Sequence, residues 1–383
     1  MTAEIPDGWH VSTLSEICDK ITDGTHYTPS YVSHGVPFYS VESVTRDDFI
    51  NVKFITPDAH RILARRCRPR RGDILMTRIG SLGDTKLIDW DVDASIYVSL
   101  ALLHPSRSVD STYLYAYTKS RTFVQDVEDR SLLWAVPKKI NMGDIGLIPV
   151  MVPDLLAEQR AIGALLGDVE SETRALRRLL AKKRAIKQGM MQELMTGRTR
   201  LRGFEGEWGS MTLGSVCRIK TGARNNQDKV PNGAYPFFVR SATVERIDSY
   251  SYDTEAILVP GEGGIGTIFH YINGRFEVHQ RVYKISDFAS NVSGKFVYYF
   301  MRVFFGSHAM ENSVKATVDS LRLPTFKSFE LRLPPTRAEQ EAIVEVLEDA
   351  DAEIEALERR LEATRQIKEG MMQELLTGRT RLV

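Results

Sequence analysis

AEQRAIGALLGDVESETRALRRLLAKKRAIKQGMMQELMTGRTRL, residues 157–201, returns at residues 338–382 as AEQEAIVEVLEDADAEIEALERRLEATRQIKEGMMQELLTGRTRL. The two stretches align without a gap at an offset of 181, with 27 of 45 positions identical, so the chain is built on an internal duplication. Ile343, Leu347, Ala350, Ile354, Leu357 and Leu361 follow a 4-3-4-3-4 spacing, which is the apolar seam of a coiled coil. Ile162, Leu166, Val169, Thr173, Leu176 and Leu180 take the same places in the first copy. Pro153, and Pro334 with Pro335, end whatever precedes each helix, and Thr196-Gly197 and Thr377-Gly378 read as its stops. About 39 helical residues at roughly 1.5 Å each predict a rod about 58 Å long.

The two copies differ in charge. Residues 157–201 carry 10 Lys and Arg against 5 Asp and Glu, whereas residues 338–382 carry 6 against 12. Arg174, Arg177, Arg178, Lys182, Lys183 and Arg184 face an acidic counterpart rich in Glu345, Glu348, Asp349, Asp351, Glu353, Glu355, Glu358 and Glu362. Complementary flanking charges favour pairing of the two rods with each other over self-pairing, and an antiparallel arrangement is the natural closure. The other reading is two independent solvated helices.

A weaker repeat links the segments ahead of the rods. Trp9, Leu14, Cys18, Pro37 and Phe38 reappear at an offset of 199 as Trp208, Leu213, Cys217, Pro236 and Phe237. GDILMTRIGSLGDT (72–85) resembles EAILVPGEGGIGTI (255–268). In a duplication of this kind the diverged part discriminates and the retained part meets a shared partner. Short β-rich runs bounded by turn residues predict strands at Pro37–Val44, Asp73–Arg78, Ser95–Leu102, Pro236–Arg240, Ala256–Val259 and Phe276–Ile285. Helices are expected around Thr112–Asp126 and Ser293–Gly306, and final strands at Ile145–Val152 and Phe329–Leu333. The expected fold class is α+β: two mixed α/β domains separated by two long helices that form an antiparallel coiled coil, with a pseudo-twofold internal repeat.

Polar loops recur at matching points of the two halves. Lys20, Thr22, Asp23, Gly24, Thr25 and His26 form the first, and Lys220, Thr221, Arg224, Asn225 and Asn226 the second. Arg suits guanine and Asn suits adenine at base edges, although an ordinary surface turn fits the same pattern. The Gly-rich runs with Arg78, Ser81 and Lys86, and with Glu262 after the Arg240 strand, allow close backbone approach to a ligand, or simply make tight hairpins. Neither contains the Gly-Lys-Ser/Thr of a nucleotide phosphate loop. Lys138 and Lys139, and Lys315 with Thr317, precede the last strands and can grip phosphate or only be solvated. Arg61, Arg65, Arg66, Arg68, Arg70 and Arg71 make a basic cluster, suited to phosphate or to offsetting Asp58 and Asp73.

Composition narrows the classes. The 383 residues carry 50 basic and 50 acidic side chains, so any nucleic-acid surface must come from local charge rather than net charge. Cys18, Cys67 and Cys217 sit in no paired spacing, which argues against a disulfide framework or a zinc site. The eight histidines show no metal-ligand spacing, and no cofactor is expected. No apolar run reaches the roughly 20 residues of a membrane span, and the acidic start MTAEIPDGWH lacks a leader pattern, so a cytoplasmic address is expected. The sole Pro-Pro, Pro334-Pro335, follows Leu333 rather than the Asn or Asp of an amino-methyltransferase motif.

These features together resemble the specificity subunits of type I restriction-modification enzymes. The resemblance rests on Ala157-Glu158-Gln159 and Ala338-Glu339-Gln340, the Met-Met-Gln-Glu-Leu-x-Thr-Gly-Arg helix ends, Asp23-Gly24-Thr25-His26, and Gly72-Asp73-Ile74-Leu75 leading into a Gly-x-x-Gly turn. It implies target-recognition domains at 1–153 and 202–335, and spacer helices at 154–201 and 336–383. It further implies a subunit without catalysis of its own that reads a bipartite, interrupted site in double-stranded DNA. Its helices would act as a ruler and dock two methylation subunits, with restriction-translocase subunits joining through the complex. Thr221-Gly222-Ala223-Arg224 departs from Asp23-Gly24-Thr25-His26, which implies two different half-sites. A spacer holding two protein-binding domains, or an unusual nuclease or methyltransferase, are the other classes; DNA-dependent assembly and activity of the pure chain tell them apart.

Overall fold

A computed structural model describes residues 5–264, 266–311 and 320–382. The chain divides into two compact units, Met1–Arg177 with Arg359–Val383, and Arg178–Glu358. The two long helices, Leu156–Thr196 and Arg337–Leu375, therefore each contribute one part to each unit.

In the first unit the strand Trp9–Thr13 pairs antiparallel with Pro149–Pro153, which brings the beginning of the chain to the point where the first long helix starts. A four-stranded sheet runs in the order Cys18–Asp23, Leu100–Pro105, Ile74–Thr77, Thr85–Leu87. All four residues of Ile74–Thr77 are buried, so this inner strand reads as a continuous run rather than an alternation. A second small sheet contains Tyr31–Val32, Lys53–Ile55, Val36–Tyr39 and Ser95–Ile96, the last two parallel.

The second unit repeats this plan with two changes, the first being that no strand among the described residues answers Tyr31–Val32. Gly209–Thr212 pairs with Glu330–Leu333, as its counterpart does. Here the two sheets merge into one of six strands, ordered Arg218–Thr221, Val282–Ser286, Tyr252–Pro260, His270–Val278, Tyr235–Phe238, Glu245–Ile247. The merger follows from His270–Val278 being unbroken, where the first unit interrupts the equivalent run between Thr85–Leu87 and Ser95–Ile96.

Several predicted elements are divided by local signals that the apolar pattern hides. The run Pro37–Val44 stops at Tyr39, and Ser40 caps a short helix, Val41–Thr45. Ser95–Leu102 breaks where the Leu100 amide donates to the Tyr97 carbonyl, and Phe276–Ile285 where the Val282 amide turns back to His279. Thr112–Asp126 is two helices, Ser111–Tyr117 and Arg121–Asp129, each with its own N-cap, Asp110 and Ser120. Ile145 belongs to a short helix, Met142–Gly146, ahead of the last strand.

Within each unit the two long helices pack antiparallel. In the first unit Glu172 accepts from Arg360 at 2.6 Å and Glu170 from Lys368 at 2.5 Å. In the second, Lys183 meets Glu353 at 2.6 Å, Arg184 meets Glu358 at 2.5 Å, and Lys187 pairs with Asp351. The predicted base-on-first, acid-on-second polarity thus holds in the second unit and is reversed in the first. The seam is apolar: Ile162, Leu166, Leu176, Leu180, Ile343, Leu347 and Leu361 are buried.

The retained residues at the helix ends have a specific task. Glu339, whose side chain is 1% exposed, receives two bonds from Arg200, from Nε at 3.0 Å and Nη2 at 2.6 Å. Glu158, fully buried, receives the same pair from Arg381 at 2.5 and 2.7 Å. Each bond pair joins the start of one repeat copy to the end of the other. The neighbouring glutamine fastens the helix to its domain: Gln159 spans the Asp110 amide and the Ser108 and Pro153 carbonyls, and Gln340 the Ser293 amide and the Asn291 and Pro334 carbonyls. Leu375 and Leu376 complete the first core beside Ile162 and Leu166, and Leu194 and Met195 complete the second beside Ile343 and Leu347.

Replacing Arg200 by Ala strands Glu339 as a buried charge and is expected to destabilise the protein by about 3 kcal/mol. A double-mutant cycle with Glu339→Gln, followed by urea unfolding, checks this; additive effects would show that the pair carries no coupling.

Candidate nucleic-acid interface

The first polar loop follows the strand Cys18–Asp23 and runs along the end of Ser95–Ile96, where the Thr25 amide donates to the Ile96 carbonyl at 3.1 Å. A Cβ on Gly24 would collide with that carbonyl, so the chain passes only as glycine. The second unit makes the same approach: a Cβ on Gly222 would strike the Val278 carbonyl, to which the Arg224 amide donates at 3.3 Å. The common glycine is thus a backbone requirement, and the side chains around it are what differ.

In the first unit Asp23 is buried and gathers three partners: Arg66 Nη2 at 2.5 Å, His26 Nε2 at 2.9 Å and Arg78 Nη1 at 3.4 Å. Arg78 also donates to the Val98 carbonyl at 3.1 Å, and burial lowers its pKa against the opposing effect of Asp23. Arg78 is therefore an internal strut, while His26 and Arg66, each about 60% exposed, reach the surface. Thr25 is buried, and Lys20 bonds the Arg66 carbonyl at 2.7 Å, with Thr22 beside it. A cavity of about 260 Å³ lined by Gly24, His26, Tyr27, Leu63 and Arg66 opens at this point.

The Gly-rich loop joins the same region. The Gly80 amide donates to the Lys138 carbonyl at 2.9 Å and the Ile140 amide to the Arg78 carbonyl at 3.0 Å, so Lys138 and Lys139 lie against it, both exposed. Ser81 is exposed and bonded to Asp84. Lys86 is not brought into this group: its ammonium pairs with Asp47 and lies near the rings of Phe49 and Trp90.

The second unit assembles a different set. Arg224 donates to Glu277 at 3.3 Å and to Ser249 at 3.1 Å, with Glu277 itself buried. Asn225 accepts from Gln280 at 2.5 Å, and Asn225 and Asn226 are exposed. Glu262 clamps Arg240 at 3.2 Å and Arg281 at 2.7 Å. Burial first, and then these two guanidinium groups, hold the His279 imidazole below its usual range. Lys220 and Thr221 are exposed on the strand leading into the loop. His279, Gln280 and Arg281 were missed in the sequence because the expected strand ran through them; their turn gives them loop character. Lys315 and Thr317 lie outside the described residues.

Among the described residues no group of three or more His, Cys, Asp or Glu is placed to hold a metal ion. Among the described residues no helix is long and apolar enough to cross a membrane.

Comparison with known families gives two matches along the chain, at residues 6–187 and 205–365, to the type I restriction modification DNA specificity domain. The chain belongs to this family. A segment of 171 residues is 30% identical to the specificity subunit of the type I restriction enzyme EcoDI of Escherichia coli, covering 45% of this chain and 37% of that protein. Over nearly its full length the chain is 21% identical to a protein of Methanocaldococcus jannaschii described as the MjaX type I specificity subunit, covering 95% of it. Among solved structures, the S subunit from M. genitalium superimposes with a TM-score of 0.71 at 13% identity, covering 98% of this chain and 97% of that one. A chain from a structure titled for complex assembly and conformational transition of the type I R-M system matches with a TM-score of 0.54 at 16% identity, covering 97% and 98%. These two likenesses bear on the fold, which is that of the S subunits.

Asp23→Ala leaves the Arg78 guanidinium buried without a carboxylate and is expected to cost about 3 kcal/mol of stability, whereas Arg66→Gln, at the exposed edge, costs under about 1 kcal/mol. Equal losses in urea unfolding would contradict this division of labour. Because the His279 pKa is depressed in the fold, the unfolded chain takes up a proton first as pH falls below about 6.5, and stability is lost there. His279→Gln is expected to flatten that limb of the stability–pH curve; an unchanged curve would show that the group does not contribute.

Proposed function

We propose that this chain is the DNA-reading subunit of a type I restriction-modification complex and carries no catalysis of its own. Residues 1–153 and 202–335 are its target-recognition domains, and 154–201 and 336–383 its spacer helices. Each domain reads one half of an interrupted double-stranded site, the first from loops 20–26 and 78–86, the second from loops 220–226 and 261–267. The helices fix the separation of the half-sites and dock two methylation subunits. Restriction-translocase subunits join through that complex, and the whole acts in the cytoplasm.

One observation carries the reading: the same glycine crossing, Gly24 and Gly222, presents unlike side chains in the two units. Asp23, His26 and Arg66 surround it in one, and Arg224, Asn225 and Gln280 in the other. A retained backbone with replaced polar groups is what two different base sequences require. The family model matches twice along the chain, at residues 6–187 and 205–365, which supports a reading with two such domains.

Co-expression with the methylation subunit in a host lacking adenine methylation, followed by sequencing of modified bases, tests this. A single interrupted motif is expected, and Arg224→Ala is expected to relax one half of it by about 1–3 kcal/mol of discrimination per contacted base, leaving the other half intact. Relaxation of both halves together would oppose one domain per half-site. Assembly with the partner but no DNA dependence at all would favour a protein-spacing module instead.

A further inference from the structure

Residues Leu133 to Val136 break the usual rule that large apolar side chains go inward. Trp134 is 82% exposed, Val136 fully exposed and Leu133 half exposed. Of the four tryptophans in the chain it alone stands in solvent; Trp9 is buried and Trp90 and Trp208 are half-buried. An exposed tip carrying three large apolar side chains within four residues marks a surface that meets something.

The tip is not a loose loop. The Leu132 amide donates to the Lys139 carbonyl at 2.7 Å, and the Ala135 amide turns back to Leu132 at 3.1 Å. Lys139 forms one antiparallel bridge to Leu132 and another to Ile79, so the base of the tip is pinned to the Gly-rich loop by two single bridges. That loop is in turn bound through Arg78 to Asp23. Exposed apolar area and candidate reading loop are thus parts of one anchored body. Lys138 and Lys139 follow the tip directly after Pro137, both exposed, and neither is held in an ion pair among the described residues.

An anchored apolar wedge with two exposed cations just behind it in the chain fits a stacked, polyanionic partner better than an apolar groove. Lysines at the base take phosphate oxygens, and an aromatic head enters between bases. We propose that Trp134 is inserted into duplex DNA at the first half-site, where it unstacks one base step. The inference rests on the DNA-reading function proposed above and adds to it a contact that reads deformability rather than base edges. In the second unit the corresponding stretch ahead of Leu321 lies outside the described residues, so the wedge is assigned to the first unit only.

The test uses the complex of the full chain with its methylation subunits, bound to a duplex carrying the methylated motif. 2-Aminopurine replaces each adenine in or beside the first half-site in turn. The wild-type complex is expected to raise its emission at one step, and Trp134→Ala to abolish that rise while weakening binding about ten- to a hundredfold. Trp134→Phe should retain most of the affinity. Lys138→Gln and Lys139→Gln should each lower the salt dependence by about one unit of slope, which Trp134→Ala leaves unchanged. Because Trp134 is exposed, its variants should keep the wild-type Tm. Binding within twofold of wild type and an unaltered 2-aminopurine signal in Trp134→Ala would overturn the proposal. Loss of complex assembly in that variant would overturn it too, by assigning the tip to a protein partner. A wild-type complex that bound no duplex would instead bring down the DNA-reading function itself.

Discussion

A carboxylate with no exposure must be neutralised where it stands, because leaving it unpaired costs far more than a surface pair ever returns. Glu158 and Glu339 are such groups, and each is neutralised by an arginine of the opposite repeat copy, Arg381 and Arg200. The remaining architecture depends on this exchange. It ties the end of each long helix segment to the start of the other inside a unit, and it places Leu375, Leu376, Leu194 and Met195 where they complete the two cores. It also explains why the helix ends resisted divergence. A change of Glu in one copy leaves an arginine of the other without its partner, so the four residues can drift only together. Gln159 and Gln340, with three backbone partners each, hold the helix starts just as tightly.

Against that fixed frame the recognition segments changed freely, but not at every atom. Gly24 and Gly222 persist because a neighbouring carbonyl occupies the space a Cβ would need. The buried acid beneath the loop persists as a function and moves as a residue: Asp23 precedes the glycine in one unit, while Glu277 reaches in from another strand in the second. Either way an arginine at the loop is steered by a carboxylate below it. The guanidinium planes are thereby pre-oriented, which lowers the side-chain entropy that a contact would cost.

The duplication, the helical rods and their antiparallel pairing were legible because a seven-residue apolar period and a long gapless repeat survive any local context. The strand list was legible only in outline. Runs such as Ser95–Leu102 and Phe276–Ile285 look uninterrupted, yet a backbone turn at Tyr97–Leu100 or His279–Val282 divides each, and nothing in the apolar pattern marks it. The site suffered from the same blindness. Asp23, His26 and Arg224 could be named from loop chemistry, whereas Arg281 and Gln280 were hidden inside a supposed strand. Arg78, named for its residue type, is found buried, where its guanidinium braces Asp23 and the Val98 carbonyl. Lys86 likewise has its charge committed to Asp47.

Zero net charge is compatible with a DNA reader once the partners of the charges are traced. Glu158 and Glu339 are spent on helix closure, Asp23 and Glu277 lie buried beneath loops, and Glu262 bridges two arginines from a half-buried position. Asp351, Glu353 and Glu358 face cations across the helix pair. These acids are turned to internal tasks, while His26, Arg66, Lys138, Lys139, Arg240 and Arg281 keep exposed faces around the two glycine crossings. Phosphate attraction depends on the charge within a Debye length, roughly 10 Å, and not on the sum over the chain. The balance of basic and acidic residues therefore describes how the fold is held together, and the cations left exposed at the loops are compatible with the DNA reading proposed above.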